Sequence, residues 1–321
     1  MANGIARKSM ARTAFTRFAN RRALCASGFT LAALLACASG CSTFSRSQAS
    51  HQRIIQARQL TQRGVQAMHR NDWNNATKLL AEAKEYSPYD VQARIHYAET
   101  LWKTDKREEA IRELEEALQL ANDDPAIHTR LGRMYLDSGD PTQAHLAANR
   151  AIECDPKYAQ AWKLQGDLAL LRNDLASAKL SYIRAANNGE IMDREVQLRL
   201  ASTYRRLGQP SQSLACISQV HQADFGQRLP ADVGIEQALA YRDLGRNLEA
   251  ADCLSELAES NELSEELLFA WAECEVAAGR LARAEFAANS VLHVNPQHGP
   301  ALQLVGRLPA YRQQAQEAWR R

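Results

Sequence analysis

Strand-like alternation of apolar and polar residues is missing from this 321-residue chain, and glycine and proline are sparse, at 15 and 9. A β-rich or low-complexity architecture is thereby excluded, and long helices are easy to build. No C-x-x-C pair occurs. Three of the seven cysteines (Cys25, Cys37, Cys41) lie near the start, and Cys154, Cys216, Cys253 and Cys274 are far apart. Such spacings make poor zinc sites and read as small apolar residues of a helical core, with disulfide pairing left open. There is no Gly-rich phosphate loop, no G-x-S-x-G elbow and no H-E-x-x-H. The eight histidines are scattered, and Pro296 separates His293 from His298. No catalytic residue, metal or cofactor is expected.

Acidic residues are absent before Cys41, where six basic ones stand (Arg7, Lys8, Arg12, Arg17, Arg21, Arg22). The remainder carries 33 basic against 37 acidic residues, a net charge of −4. That balance gives no concentrated positive face for nucleic acid. Between Asn247 and Gly279 the asymmetry reverses, with nine acidic residues and no Lys or Arg. This stretch is either a solvated face or a docking face for a basic partner.

After the basic start comes a short apolar run, Leu31-Ala32-Ala33-Leu34-Leu35-Ala36, then small residues and cysteines. It is too short for a confident membrane span. The segment, residues 1–41, resembles a bacterial lipoprotein signal. Two lipidation sites fit the resemblance: Cys37 follows Leu34-Leu35-Ala36, and Cys41 follows Ala38-Ser39-Gly40. The resemblance implies a lipid-anchored protein of the cell envelope facing the periplasm. The next residue, Ala38 or Ser42, is not Asp, which favours the outer membrane. An ordinary cleaved signal or an uncleaved anchor are alternative readings. Residues 42–56 read as a Ser-rich tether leading into a helix, the polar part 42–52 reaching roughly 20 Å.

The rest of the chain repeats itself every 34 residues. Leu131-Gly132, Tyr135, Gly139, Ala144, Ala148, Ala151 and Pro156 recur in frame at 57–90, 91–124, 125–158 and 159–192. After an inserted Asp193 the pattern continues at 194–227. After Arg228-Leu229-Pro230 it resumes at 231–264 and 265–298. Each unit holds two apolar stripes at helical spacing. Gly64, Gly132, Gly166 and Gly306 fall where two helices would cross. Gly139, Gly208, Gly245 and Gly279 fall at the turn between them, with Pro141 and Pro210 opening the second helix. Ser213 replaces the usual alanine in the fifth unit. Residues 299–321 read as the start of an eighth hairpin that Pro309 interrupts, serving as a cap.

On these residues the chain resembles the tetratricopeptide-repeat family. The resemblance implies an all-α, right-handed solenoid of about seven helix-turn-helix repeats with a C-terminal capping helix. It also implies a non-catalytic scaffold whose first helices line a groove for a protein or peptide partner. The matching groove positions are Ile95, Glu99, Trp102, Lys103, Arg133, Leu136, Lys163, Leu170, Leu171, Arg205 and Arg242. Asp137, Asp167, Leu198, Arg206, Ile235 and Leu239 occupy further ones. Thr61 and Val65 stand where Lys and Asn would grip a C-terminal carboxylate, which argues against that mode. Two other readings stay open: an envelope enzyme or glycan-binding protein with a site between repeats, and a cytoplasmic adaptor with a disordered N-terminus.

Overall fold

The computed structural model describes residues 50–223, 230–260 and 263–320; residues 1–41, read from sequence as a signal with Cys37 or Cys41 as lipidation site, lie outside them. Fifteen helices and no strand occur among the described residues. They are α1 (50–69), α2 (Trp73–Tyr86), α3 (Val91–Lys103), α4 (Arg107–Leu120), α5 (Pro125–Asp137), α6 (Pro141–Cys154), α7 (Ala159–Leu171) and α8 (Leu175–Asn188). After these come α9 (Arg194–Arg206), α10 (Pro210–Ala223), α11 (Ala231–Asp243), α12 (Asn247–Ser260), α13 (Glu265–Ala277), α14 (Leu281–Val294) and α15 (Gly299–Trp319). Residues 50–52, read from sequence as tether, are already helical. The chain divides into two compact units, one ending at Glu113 and the other beginning at Leu114, with the boundary inside the sequence of α4.

Local chemistry makes each hairpin. The second residue after the first helix is left-handed in every hairpin, with φ between 56° and 81°. Asn71, Asp105 and Asn173 serve in three hairpins and glycine in four. In the Gly208 turn, Gln209 N–H reaches Tyr204 O at 2.9 Å, the bond that closes a left-handed helix end. In four of the hairpins the second helix then starts on an Asp cap or a proline, as at Asp72, Asp140, Asp174 and Pro210. Asp140 accepts from the Thr142 and Gln143 amides at 3.2 and 3.0 Å, and Pro141 takes the first position, where its missing N–H costs nothing.

In the first unit, Ala67, Ala76 and Leu80 form one cluster and Leu60, Ala83 and Ala93 another. A Cβ on Gly64 would stand 2.6 Å from Leu80, so α1 and α2 touch because the glycine has none. In the second unit, three clusters run from Ala144, Ala148, Leu164 and Leu168, through Tyr182, Leu200 and Ile217, to Leu254, Trp271 and Val291. Each joins residues of adjacent hairpins, so no hairpin buries its stripe alone. Cys154, Cys216, Cys253 and Cys274 are free. Burial pushes the thiols of Cys216, Cys253 and Cys274 up to about 11, and they serve as packing groups.

Two expectations about the C-terminal end are corrected. Pro309 does not interrupt the helix: α15 is continuous with Pro309 inside it. Ala301 and Leu308 are buried and pin its first half, whereas residues after Pro309 expose nearly every side chain and offer no stripe for a second helix. Gly306 is not a crossing point either, since a Cβ there would meet nothing within 4 Å. Gly234, not singled out from sequence, is one, with Leu257 3.2 Å from the place of a Cβ.

Candidate functional site

The first-helix positions divide by what their side chains meet. In the first unit, Ile95 is buried at 4% exposure and belongs to the core, not to a groove. Glu99 is half-buried, 3.4 Å from His96. Trp102 is half-buried, with the Arg107 guanidinium 5.3 Å from its ring, and Lys103 is exposed, 5.9 Å from the ring of Trp73. These are cation–π distances, and each covers one face of an indole.

In the second unit the charged positions are engaged with one another. Arg133 on α5 donates to Gln160 on α7 at 2.8 Å, and Gln160 donates to Asp193 at 3.4 Å. Lys163 is 5% exposed and pairs with Asp193 and Glu195 across the next hairpin, so it is not a free groove contact. Arg205 pairs with Glu236 at 3.3 Å and Asp243 at 3.5 Å, and Arg242 also meets Asp243 at 3.5 Å. Arg206 donates to Asn173. Asp167 accepts from the Tyr182 hydroxyl at 2.5 Å, and burial raises its pKa despite that bond and Arg199 nearby. Leu136 and Leu170 are half-buried against the core clusters. Leu171 alone of the nominated leucines is exposed, at 66%.

The acidic stretch also divides. Glu249 pairs with Arg246, Asp252 with Arg280 and Arg283, and Glu265 lies 3.5 Å from His298. Glu275 is wholly buried. Trp271 Nε1 donates to its Oε1 at 3.0 Å, and the Arg283 and Arg280 guanidiniums lie 3.8 and 3.9 Å away. Glu259 and Glu273 are exposed, with no ion-pair partner among the described residues.

Beside this cluster lies a feature that the groove positions did not include. An open groove of about 1100 Å³ runs between α12 and α14, with Leu268 and Trp271 of α13 as its floor. Ala258, Ala282, Phe286 and Val294 make its walls apolar, and Glu259, Arg283 and His293 stand at the rim. Phe286 is 66% exposed and Val294 62%. The Phe286 ring meets the buried Trp271 ring edge-on at 6.0 Å. One signal was legible. In the repeat frame Phe286 occupies the place of Lys78, Arg112, Leu146, Leu180, Ala215 and Asp252, where the fold does not require an aromatic.

Known proteins bear on this arrangement. Residues 105–168 and 235–296 each match a family model described as tetratricopeptide repeat. A tetratricopeptide repeat-containing protein of Pseudomonas aeruginosa is 38% identical over 69 residues, 22% of this chain and 66% of that protein. Among solved structures, a tetratricopeptide repeat protein from Parabacteroides merdae aligns over 79% of this chain and 98% of its own, at 14% identity and a TM-score of 0.52. PilW, described as a type IV pilus biogenesis factor, aligns over 66% of this chain and 96% of its own, at 20% identity and TM-score 0.57. YrrB, described as having an unusual peptide-binding site, aligns over 59% and 96%, at 14% identity and TM-score 0.53. Tandem helix-turn-helix repeats of the α-solenoid class are thus the architecture. The chain is a tetratricopeptide-repeat protein, and this fold is in general a scaffold for protein–protein interaction rather than a catalyst.

Proposed function

We infer that the protein is a non-catalytic scaffold of the bacterial cell envelope, anchored by lipid at Cys37 or Cys41, that receives a protein segment on its first-helix surface. The observation that carries the binding surface is Leu171. It is 66% exposed, whereas the first-helix charges Lys163, Arg205 and Arg206 are already held by Asp193, Glu236 and Asn173. An exposed apolar side chain that the fold does not need, on a helix layer whose charges already have partners, suits a segment bound by apolar contacts and its own backbone. Trp102 supplies a comparable anchor in the first unit. The PilW and YrrB descriptions lend support by kind: a pilus biogenesis factor and a peptide-binding protein share this fold. The chiefly apolar lining of the α12–α14 groove favours a protein partner over an enzyme site.

A photo-crosslinking amino acid at position 171 in living cells, with the same amino acid at the exposed second-helix position 180 as control, tests the surface. Capture of one partner segment, lost on adding that segment as a competing peptide, is expected; capture unaffected by the competitor defeats the reading. Labelling with an alkynyl fatty acid tests the anchor: the label should vanish on Cys37→Ala or on Cys41→Ala, and an unlabelled wild type removes the envelope anchor.

A further inference from the structure

The last two complete hairpins, residues 231–298, carry 13 acidic residues against four arginines and no lysine, a net charge of −9. All four arginines are engaged inside the same hairpins: Arg242 with Asp243, Arg246 with Glu249, Arg280 with Asp252, and Arg283 with Asp252 and Glu275. Arg205 of α9 reaches Glu236 and Asp243, and Arg312 of α15 reaches Glu285, which brings the balance to −7 and still leaves this part of the surface strongly negative. The same hairpins hold the open groove between α12 and α14, where Phe286 and Val294 are more than half exposed over the buried Trp271. Glu259, exposed and without an ion-pair partner among the described residues, stands on its rim.

The two observations are independent, and together they describe one ligand. Covering Phe286 and Val294 requires an apolar stripe. A field of this sign requires that the stripe be bordered by cations, and it repels the anionic headgroups of a membrane. Two helices walling a trough with a third as its floor accept an amphipathic helix laid along it. We propose that the α12–α14 groove is a second protein-docking site, separate from the first-helix surface, that takes an amphipathic helix with an apolar face flanked by Lys or Arg. Phe286 and Val294 supply the apolar contact over the Trp271 floor, and Glu259 and the surrounding negative field supply the preference for basic partners.

The test uses the full chain and two fluorescein-labelled peptides of about 18 residues, one of Leu and Lys at i, i+3, i+4 spacing and one with every Lys replaced by Glu. Fluorescence anisotropy should show binding of the Lys peptide, weakening as salt rises, and none of the Glu peptide. Phe286→Asp, at an exposed position that leaves folding intact, should weaken binding about tenfold or more. Glu259→Lys should weaken it about threefold and flatten the salt response. Leu171→Asp should leave it unchanged, so the first-helix reading and this one stand or fall separately. Equal binding of both peptides, or a Phe286→Asp protein that binds like wild type, overturns the proposal. So does self-association of the free protein that Phe286→Asp abolishes, since the groove is then an interface between copies.

Discussion

The Tyr182 ring lies against Gly166 so closely that a Cβ on the glycine would stand 2.6 Å from the tyrosine Cε1, while the tyrosine hydroxyl donates to Asp167 one residue along. Tyr182 is fully buried, and its hydroxyl bond holds the ring in place, so it has no free direction in which to yield. Gly166→Ala should therefore cost about 2 kcal/mol by overpacking. Urea unfolding followed by circular dichroism measures it. Adding Tyr182→Leu should remove roughly half of that cost through coupling of the two sites. An alanine variant as stable as wild type refutes the crossing as a constraint.

Gly208 presents the opposite case. A Cβ there would meet nothing within 4 Å, yet the residue sits at φ +70. Gly208→Ala should destabilise by about 1 kcal/mol purely through the backbone. Gly208→Asn should cost less than half as much, because asparagine tolerates this conformation, as Asn71 and Asn173 already do in two other hairpins. Thermal melts of the two variants side by side decide it; equal losses would point to a steric cause instead.

Ser213 is fully buried, and its hydroxyl has no hydrogen-bond partner. The six equivalent positions hold Ala76, Ala110, Ala144, Ala178, Ala250 and Ala284, all fully buried. Ser213→Ala should stabilise the protein by about 1 kcal/mol, since a desolvated hydroxyl is removed and no contact is lost. A lower melting temperature in the alanine variant would mean that the hydroxyl does find an acceptor.

These three positions were legible in the sequence because the repeat exposes them: a glycine or serine is informative where its equivalents are alanine or asparagine. The interaction surface was legible only in part. Ile95 and Lys163 share one place in the repeat frame with Thr129, and all three are buried, at 4, 5 and 3%. A lysine there reads as exposed from sequence. What buries it is a pair of carboxylates, Asp193 and Glu195, some 30 residues later on the next hairpin, and no local pattern contains that. Within the acidic stretch, Asp252 and Glu275 likewise looked uncompensated because Arg280 and Arg283 lie just beyond its end and fold back onto them. Pro309 misled for a different reason. A proline in the helix interior costs about 3 kcal/mol, but breaking α15 would leave its polar second half with no surface to pack on.

The inserted residue that shifts the repeat by one gives the last prediction. Asp193 caps α9, accepting from the Glu195 and Val196 amides at 2.9 and 3.3 Å, and faces the buried Lys163 at 3.5 Å. Burial pushes its pKa up, but Lys163, these two amides and Gln160 more than offset this and hold it below the ordinary value of 3.8. A carboxyl depressed in the folded state stabilises fully above its unfolded pKa and loses that contribution as pH falls through the folded one. Asp193→Asn keeps a capping side chain and removes only the charge. The variant should be less stable than wild type by about 1 kcal/mol at neutral pH, a modest figure because solvent screens a partly exposed pair. The gap should stay constant down to about pH 4 and close below it. Urea midpoints of the two proteins measured from pH 7 to pH 3 give the comparison. A gap that persists at pH 3 would assign the role of Asp193 to its shape rather than its charge.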